Sequence, residues 1–130
     1  MKDKLIKFET AKLARKKGFN EECQKEYNSN GAVVDCHYAS VTNNDIDVYG
    51  VCTAPTQTTL QTWLREQKKI VVLVNLLYNE EDDPYFFNVF YDNKSYFGDV
   101  REREPDFGDY FKSYEEALEI GLKLGLSLIK

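Results

Sequence analysis

The sequence predicts an α+β fold, with an antiparallel sheet of about four to five strands packed by helices near residues 10–17, 55–68 and 114–129. Three observations carry this. First, Ser113 stands three residues before Glu116, the spacing of a capping box in which the serine hydroxyl accepts from the N3 amide and the glutamate reaches back. Behind it, Ala117, Leu118, Gly121, Leu122, Leu124, Gly125, Leu128 and Ile129 gather on one broad helical face, with Glu116, Glu119, Lys123, Ser127 and Lys130 on the remainder. Second, IVVLVNLLY at 70–78 and YFFNVFY at 85–91 are β-branched or aromatic almost throughout, as strands prefer. Third, turn residues punctuate the chain at 28–31, 43–45, 79–84 and 92–95.

Taken in order, residues 10–17 are good helix formers, and Gly18 followed by Phe19 is a C-terminal stop. Strand-like stretches at 32–41 and 46–52 read as a hairpin around Asn43, Asn44 and Asp45. Pro55 opens a second helix, where a missing N–H costs nothing, and Leu60, Trp63 and Leu64 give it one apolar stripe. Arg65, Lys68 and Lys69 suit the negative pole of its C-terminal end. A meander over 70–100 follows. Setting Tyr78 opposite Tyr85 pairs Leu76 with Phe87, Val74 with Val89 and Val72 with Tyr91; a turn at 92–95 pairs Tyr91 with Tyr96 and Phe90 with Phe97. The 32–52 hairpin is expected to extend this meander into one sheet. On the meander's other face the same register aligns Asn75, Asn88 and Asp99 among Leu73, Leu77, Phe86 and Phe90, so something must cover at least part of that face. Gly121 and Gly125, one helical turn apart, let the last helix approach its sheet closely.

One domain over 1–130 suffices for 130 residues. A hydrophobic content of 42% excludes a disordered chain. No stretch approaches the roughly 20 apolar residues of a membrane span. The N-terminus carries charges without the apolar run of a secretory leader, so a cytoplasmic protein is expected. Cys23, Cys36 and Cys52 are odd in number and lack a disulfide framework, which fits reduced thiols. The net charge of −5 divides unevenly: residues 1–17 hold seven Lys/Arg against two acids, and 79–109 hold ten acids against three Lys/Arg.

No catalytic, cofactor or metal constellation assembles. Cys36 and His37, with Cys23 and Cys52, lack the loop spacing of a zinc site, and neighbours on a strand point to opposite faces, which also disqualifies them as a Cys–His catalytic pair unless Cys23 or Cys52 folds against His37. Glu80, Glu81, Asp82 and Asp83 lack the alternating ligands and central glycine of a calcium loop and read as a solvated hairpin tip. Residues 11–20 look like the start of a helix-turn-helix, but the second helix is missing. The aromatic strands lack the basic flanks of an RNA-binding motif. Two candidate surfaces remain: the row Asn75, Asn88 and Asp99 for a ligand or partner, and Lys12, Arg15, Lys16 and Lys17 for nucleic acid.

Three segments, FETAKLARKKGFN at 8–20 with Cys23, TAPTQ at 53–57 leading to LQTWLR at 60–65, and SYEEALE at 113–119, resemble a family of small uncharacterised proteins of gut Bacteroidetes, their prophages and phages. The likeness runs nearly end to end and is weakest over 70–106. It implies a phage or mobile-element accessory protein in a bacterial cytoplasm, and no activity. The expectation is therefore a non-enzymatic protein that binds another protein or itself. A nucleic-acid-associated regulator using the basic helix is the alternative, and an enzyme of unidentified type stands third.

Overall fold

In a computed structural model, residues 3–36, 40–46, 50–76, 84–97 and 111–130 are described. They form three α-helices and two three-stranded antiparallel sheets, so the α+β class is borne out. The one larger sheet is not. Its strands divide between two compact units, Met1–Thr59 and Leu60–Lys130.

In the first unit, helix α1 (Phe8–Lys16) ends at Gly18, whose φ of 99° is the left-handed geometry that glycine accepts without strain. Strands β1 (Lys25–Asn28), β2 (Val33–Asp35) and β3 (Gly50–Thr53) lie in the order β2-β1-β3. The expected hairpin between 32–41 and 46–52 is thus corrected, because β1 sits between its two arms and pairs with both. The Asn28 side-chain oxygen closes the β1–β2 turn by accepting from the amides of Asn30 and Ala32 at 2.9 and 3.1 Å. Alternation concealed β1, because one of its inward residues is Glu26, buried beside Tyr27. The residues 43–45 do more than turn the chain. Buried Asn43 donates from Nδ2 to the Phe19 carbonyl at 2.7 Å and accepts from the Thr53 amide at 2.9 Å, tying the end of α1 to β3.

Helix α2 (Gln57–Lys68) starts two residues later than proline placement suggested. Thr56 is its cap, accepting from the Thr59 amide at 3.2 Å, while the Gln57 and Thr58 amides donate to the Lys4 carbonyl and the Asp3 carboxylate. The stripe of Leu60, Trp63 and Leu64 is buried as expected. At its other end Lys69 takes a φ of 58°, and the Ile70 amide turns back to the Leu64 carbonyl at 3.0 Å.

In the second unit, β4 (Val71–Leu76), β5 (Tyr85–Tyr91) and β6 (Lys94–Phe97) form the expected meander, in the order β4-β5-β6. Its register slips by two residues at each pairing: Leu76 faces Tyr85, Val74 faces Phe87, Val72 faces Val89, and Asn88 faces Phe97. The β5–β6 turn is the cause of the second slip. Asp92 and Asn93 alone form it, with φ of 53° and 61°, the mirror-image turn whose twist matches paired strands. A slip of two leaves every side chain on its expected face.

Helix α3 (Tyr114–Ser127) begins at Ser113, whose hydroxyl accepts from the Glu116 amide at 3.1 Å. It packs on β4 and β5. Gly121 faces Val72 and Phe87, and Gly125 faces Ile70, Leu64 and Val72, the close approach that two glycines one turn apart permit. The buried arc is wider than periodicity indicated: Leu126 joins it, and Glu119, expected on the solvent side, is 3% exposed.

Candidate protein-binding face

Alternation along the meander produces two unlike faces. One carries Val72, Val74, Phe87 and Val89 toward α3, and Val72, Phe87 and Val89 are buried. The other carries Val71, Leu73, Asn75, Phe86, Asn88 and Phe90. Leu73 is 45% exposed and Phe90 40%, although each stands on a strand of an apolar sheet. Tyr85 and Phe111 exchange both backbone hydrogen bonds, at 3.1 and 2.7 Å, so the even residues of β5 aim their backbone groups at β4. Leu73–Asn88 and Asn75–Phe86 are therefore hydrogen-bonded pairs, and the two asparagine amides are diagonal neighbours instead of facing partners, a correction to the aligned row. Asp99, the third member of that row, lies outside the described residues, as do His37, the acids at 80–83 and the carboxylates at 99–109. Asn75 is exposed and Asn88 half-buried, which leaves two neutral amides set among hydrophobic side chains. Neither amide can carry a proton or a negative charge at neutral pH; both can orient a peptide group. The face runs on into a shallow depression of about 740 Å³ lined by Lys69, Val71, Phe90, Asp92 and Lys94.

The basic helix offers less than its charge count. Lys12, Arg15 and Lys16 share one face of α1, but Lys12 pairs with Glu9 at 3.0 Å and lies 4.6 Å over the Phe8 ring. Arg15 donates to the Val51 carbonyl, and Lys17 sits at the helix C-cap. Lys12 and Arg15 are thus already engaged within the fold.

The thiols are poor nucleophiles. Burial pushes the Cys52 thiol up to about 11 against the lowering by Arg15 and Lys12, and burial likewise raises Cys23 and Cys36. All three stay protonated at neutral pH, where a catalytic cysteine needs its thiolate. A titration follows from this. A thiol that ionises later in the folded chain than in the unfolded one keeps its stabilising contribution below about pH 9 and loses it as pH rises toward 11. Urea unfolding at pH 8 and at pH 10.5 is expected to show Cys52 contributing a loss on the order of 2 kcal/mol, and Cys52→Ala is expected to flatten the slope. An unchanged slope in that variant contradicts the assignment.

A cleft of about 330 Å³ in the first unit is lined by Leu5, Cys23, Lys25, Pro55, Thr56 and Thr59 among others. It adjoins the start of α2, but the first three amides of that helix are all spent on Lys4, Asp3 and Thr56, which removes the usual attraction for an anion. Among the described residues no group of three His, Cys, Asp or Glu side chains is placed to hold a metal ion, and no helix is long and apolar enough to cross a membrane. Comparison with protein-family models, with curated proteins and with solved structures yields no match.

Proposed function

We propose that this chain is a small non-enzymatic accessory protein that binds another polypeptide through the open face of the β4–β5–β6 sheet. The carrying observation is the exposure of Leu73 and Phe90 on the side of the sheet away from α3, with the Asn75 and Asn88 amides on the same face. An apolar patch studded with hydrogen-bonding groups that carry no charge suits a peptide surface, whose own backbone offers both kinds of contact. It suits a phosphate backbone poorly. The resemblance read from the sequence supplies the setting, a phage or mobile element acting in a bacterial cytoplasm.

Covering what remains exposed of Leu73 and Phe90 is worth roughly 1 kcal/mol each. Replacing both with glutamate also forces charge into the contact. Immobilised Leu73→Glu/Phe90→Glu chain is expected to retain bound polypeptide from bacterial lysate at least tenfold less well than wild type, with unchanged circular dichroism. Equal retention by the variant contradicts the proposal. So does retention that is lost only when Lys12 and Lys16 are neutralised, which favours the nucleic-acid alternative.

A further inference from the structure

We infer that the cleft in the first unit captures the amino terminus of a peptide, with the first residue's ammonium on the Ala54 carbonyl and its carbonyl on the Thr56 N–H. The site lies within Met1–Thr59 and shares no residue with the open face of the β4–β5–β6 sheet.

The cleft is a fork between two chain segments. β1 and β3 run antiparallel with Glu26 opposite Thr53, so a continuing ladder would set Lys25 opposite Ala54 and Cys23 opposite Thr56. It stops short. Ala54 donates to the Lys25 carbonyl at 2.8 Å, but the Lys25 N–H does not return a bond to the Ala54 carbonyl. Two residues earlier on β1's side, Cys23 turns away and exchanges both its backbone bonds with Val41, each at 2.8 Å. Residues 54–56 stay extended all the same, because their other side is held. The Pro55 carbonyl accepts from the Ile6 amide at 3.0 Å, and the Gln57 amide donates to the Lys4 carbonyl at 2.7 Å. Backbone groups alternate in direction along an extended segment, so the Ala54 carbonyl and the Thr56 N–H both aim into the fork. Among the described residues, neither has a partner. The opening they face is the cleft of about 330 Å³, whose other walls include Glu22, Cys23, Lys25 and Thr59.

A carbonyl and an N–H that flank one residue, here Pro55, are met in parallel pairing by the N–H and C=O of a single incoming residue. The bond from Ala54 to Lys25 closes the fork just beyond Ala54, so no ligand residue can precede the one bonded there. That residue is the first of its chain, and its nitrogen is an ammonium. Charge selects the same direction. The Lys25 ammonium is neutralised by Asp35 at 2.6 Å, whereas the exposed Glu22 carboxylate has no partner among the described residues. A cleft whose unpaired charge is negative attracts an ammonium and repels the carboxylate that the reverse direction would bring to the closed end. Size agrees, since 330 Å³ lies at the small end of the range of about 300–1,000 Å³ for ligand cavities. Leu5 and Pro55 supply an apolar wall for a small side chain.

Titration of the nitrogen-15-labelled chain with trialanine amide, followed by nuclear magnetic resonance, tests this. The Thr56 and Lys25 amide signals are expected to shift saturably, and the Thr56 N–H to exchange with solvent about tenfold more slowly once bonded. N-acetyl-trialanine amide lacks the ammonium and needs space beyond Ala54, so it is expected to bind about tenfold more weakly or not at all. Glu22→Gln, a change on an exposed side chain, is expected to weaken trialanine amide about threefold and to leave the acetylated peptide unaffected. Lengthening the peptide to about eight residues separates the two sources of such a terminus: unchanged affinity assigns the cleft to a free short peptide, and a gain of about tenfold assigns it to the end of a protein. Thr56 and Lys25 signals unmoved by millimolar trialanine amide overturn the assignment. So does equal affinity for the acetylated peptide, or a Glu22→Gln chain that binds the free amine as tightly as wild type.

Discussion

Phe87→Ala is expected to destabilise the protein by about 3–5 kcal/mol, the range for removing a buried ring from a core. Phe87 is fully buried on the α3 side of the sheet, opposite Val74 on the neighbouring strand. Its ring centroid lies 6.0 Å from that of Phe111, and Gly121 of α3 packs directly on it. Helix backbone and strands on both sides hold the space open, so little of the cavity can close. Out of a total stability of about 5–15 kcal/mol, such a loss leaves a chain that is marginal at best. Phe90→Ala, three residues along the same strand but on the open face, is expected to change the urea midpoint by well under 1 kcal/mol. Similar losses at the two positions would mean that the faces are not differently covered.

Gly121→Leu is expected to cost about 3 kcal/mol, at the upper end of the overpacking range. A Cβ at Gly121 would stand 2.8 Å from Val72 Cγ1 and 3.2 Å from Phe87 Cγ, closer than carbon atoms pack, so α3 must lift from the sheet. Gly125 makes the informative contrast. Its Cβ would meet Ile70, Leu64 and Val72 at 3.3 Å, a tight fit that small shifts relieve. Gly125→Ala also gains up to about 1 kcal/mol of helix propensity, so its net effect is expected within about 0.5 kcal/mol of zero. Thermal and urea unfolding of the two variants together measure how closely the helix rides on β4 and β5. Equal effects at both glycines would contradict the packing described.

Much of the second unit was legible because its signals are local. The Ser113 cap, the paired glycines and the period-two strands each specify geometry within a few residues. The register was less legible, because it depends on turn length. Asp92 and Asn93 lack the glycine that usually announces a two-residue turn, yet both adopt positive φ. Since the resulting slip was even, the distinction between faces survived while the Asn75–Asn88 alignment did not. In the first unit, the central strand β1 went without a sequence signal because Glu26 is one of its buried residues, and Asn43 gave no hint that its side chain would be a buried link. Glu119 shows the same weakness on a helix: a carboxylate counts as a surface marker in periodicity, whatever the tertiary fold places around it. The basic helix misled in the opposite sense, since sequence records charge but not that Lys12 and Arg15 turn to Glu9 and the Val51 carbonyl.

The central claim is that one face of the β4–β5–β6 sheet is covered by α3 and the other stands open for a partner. Hydroxyl-radical footprinting of the chain at high dilution, read by mass spectrometry, tests it most directly. Phe90 and Leu73 are expected to be oxidised many times faster than Phe87 and Leu122, and to become protected as bound partner increases. Phe90 as protected as Phe87 in the dilute chain would contradict it.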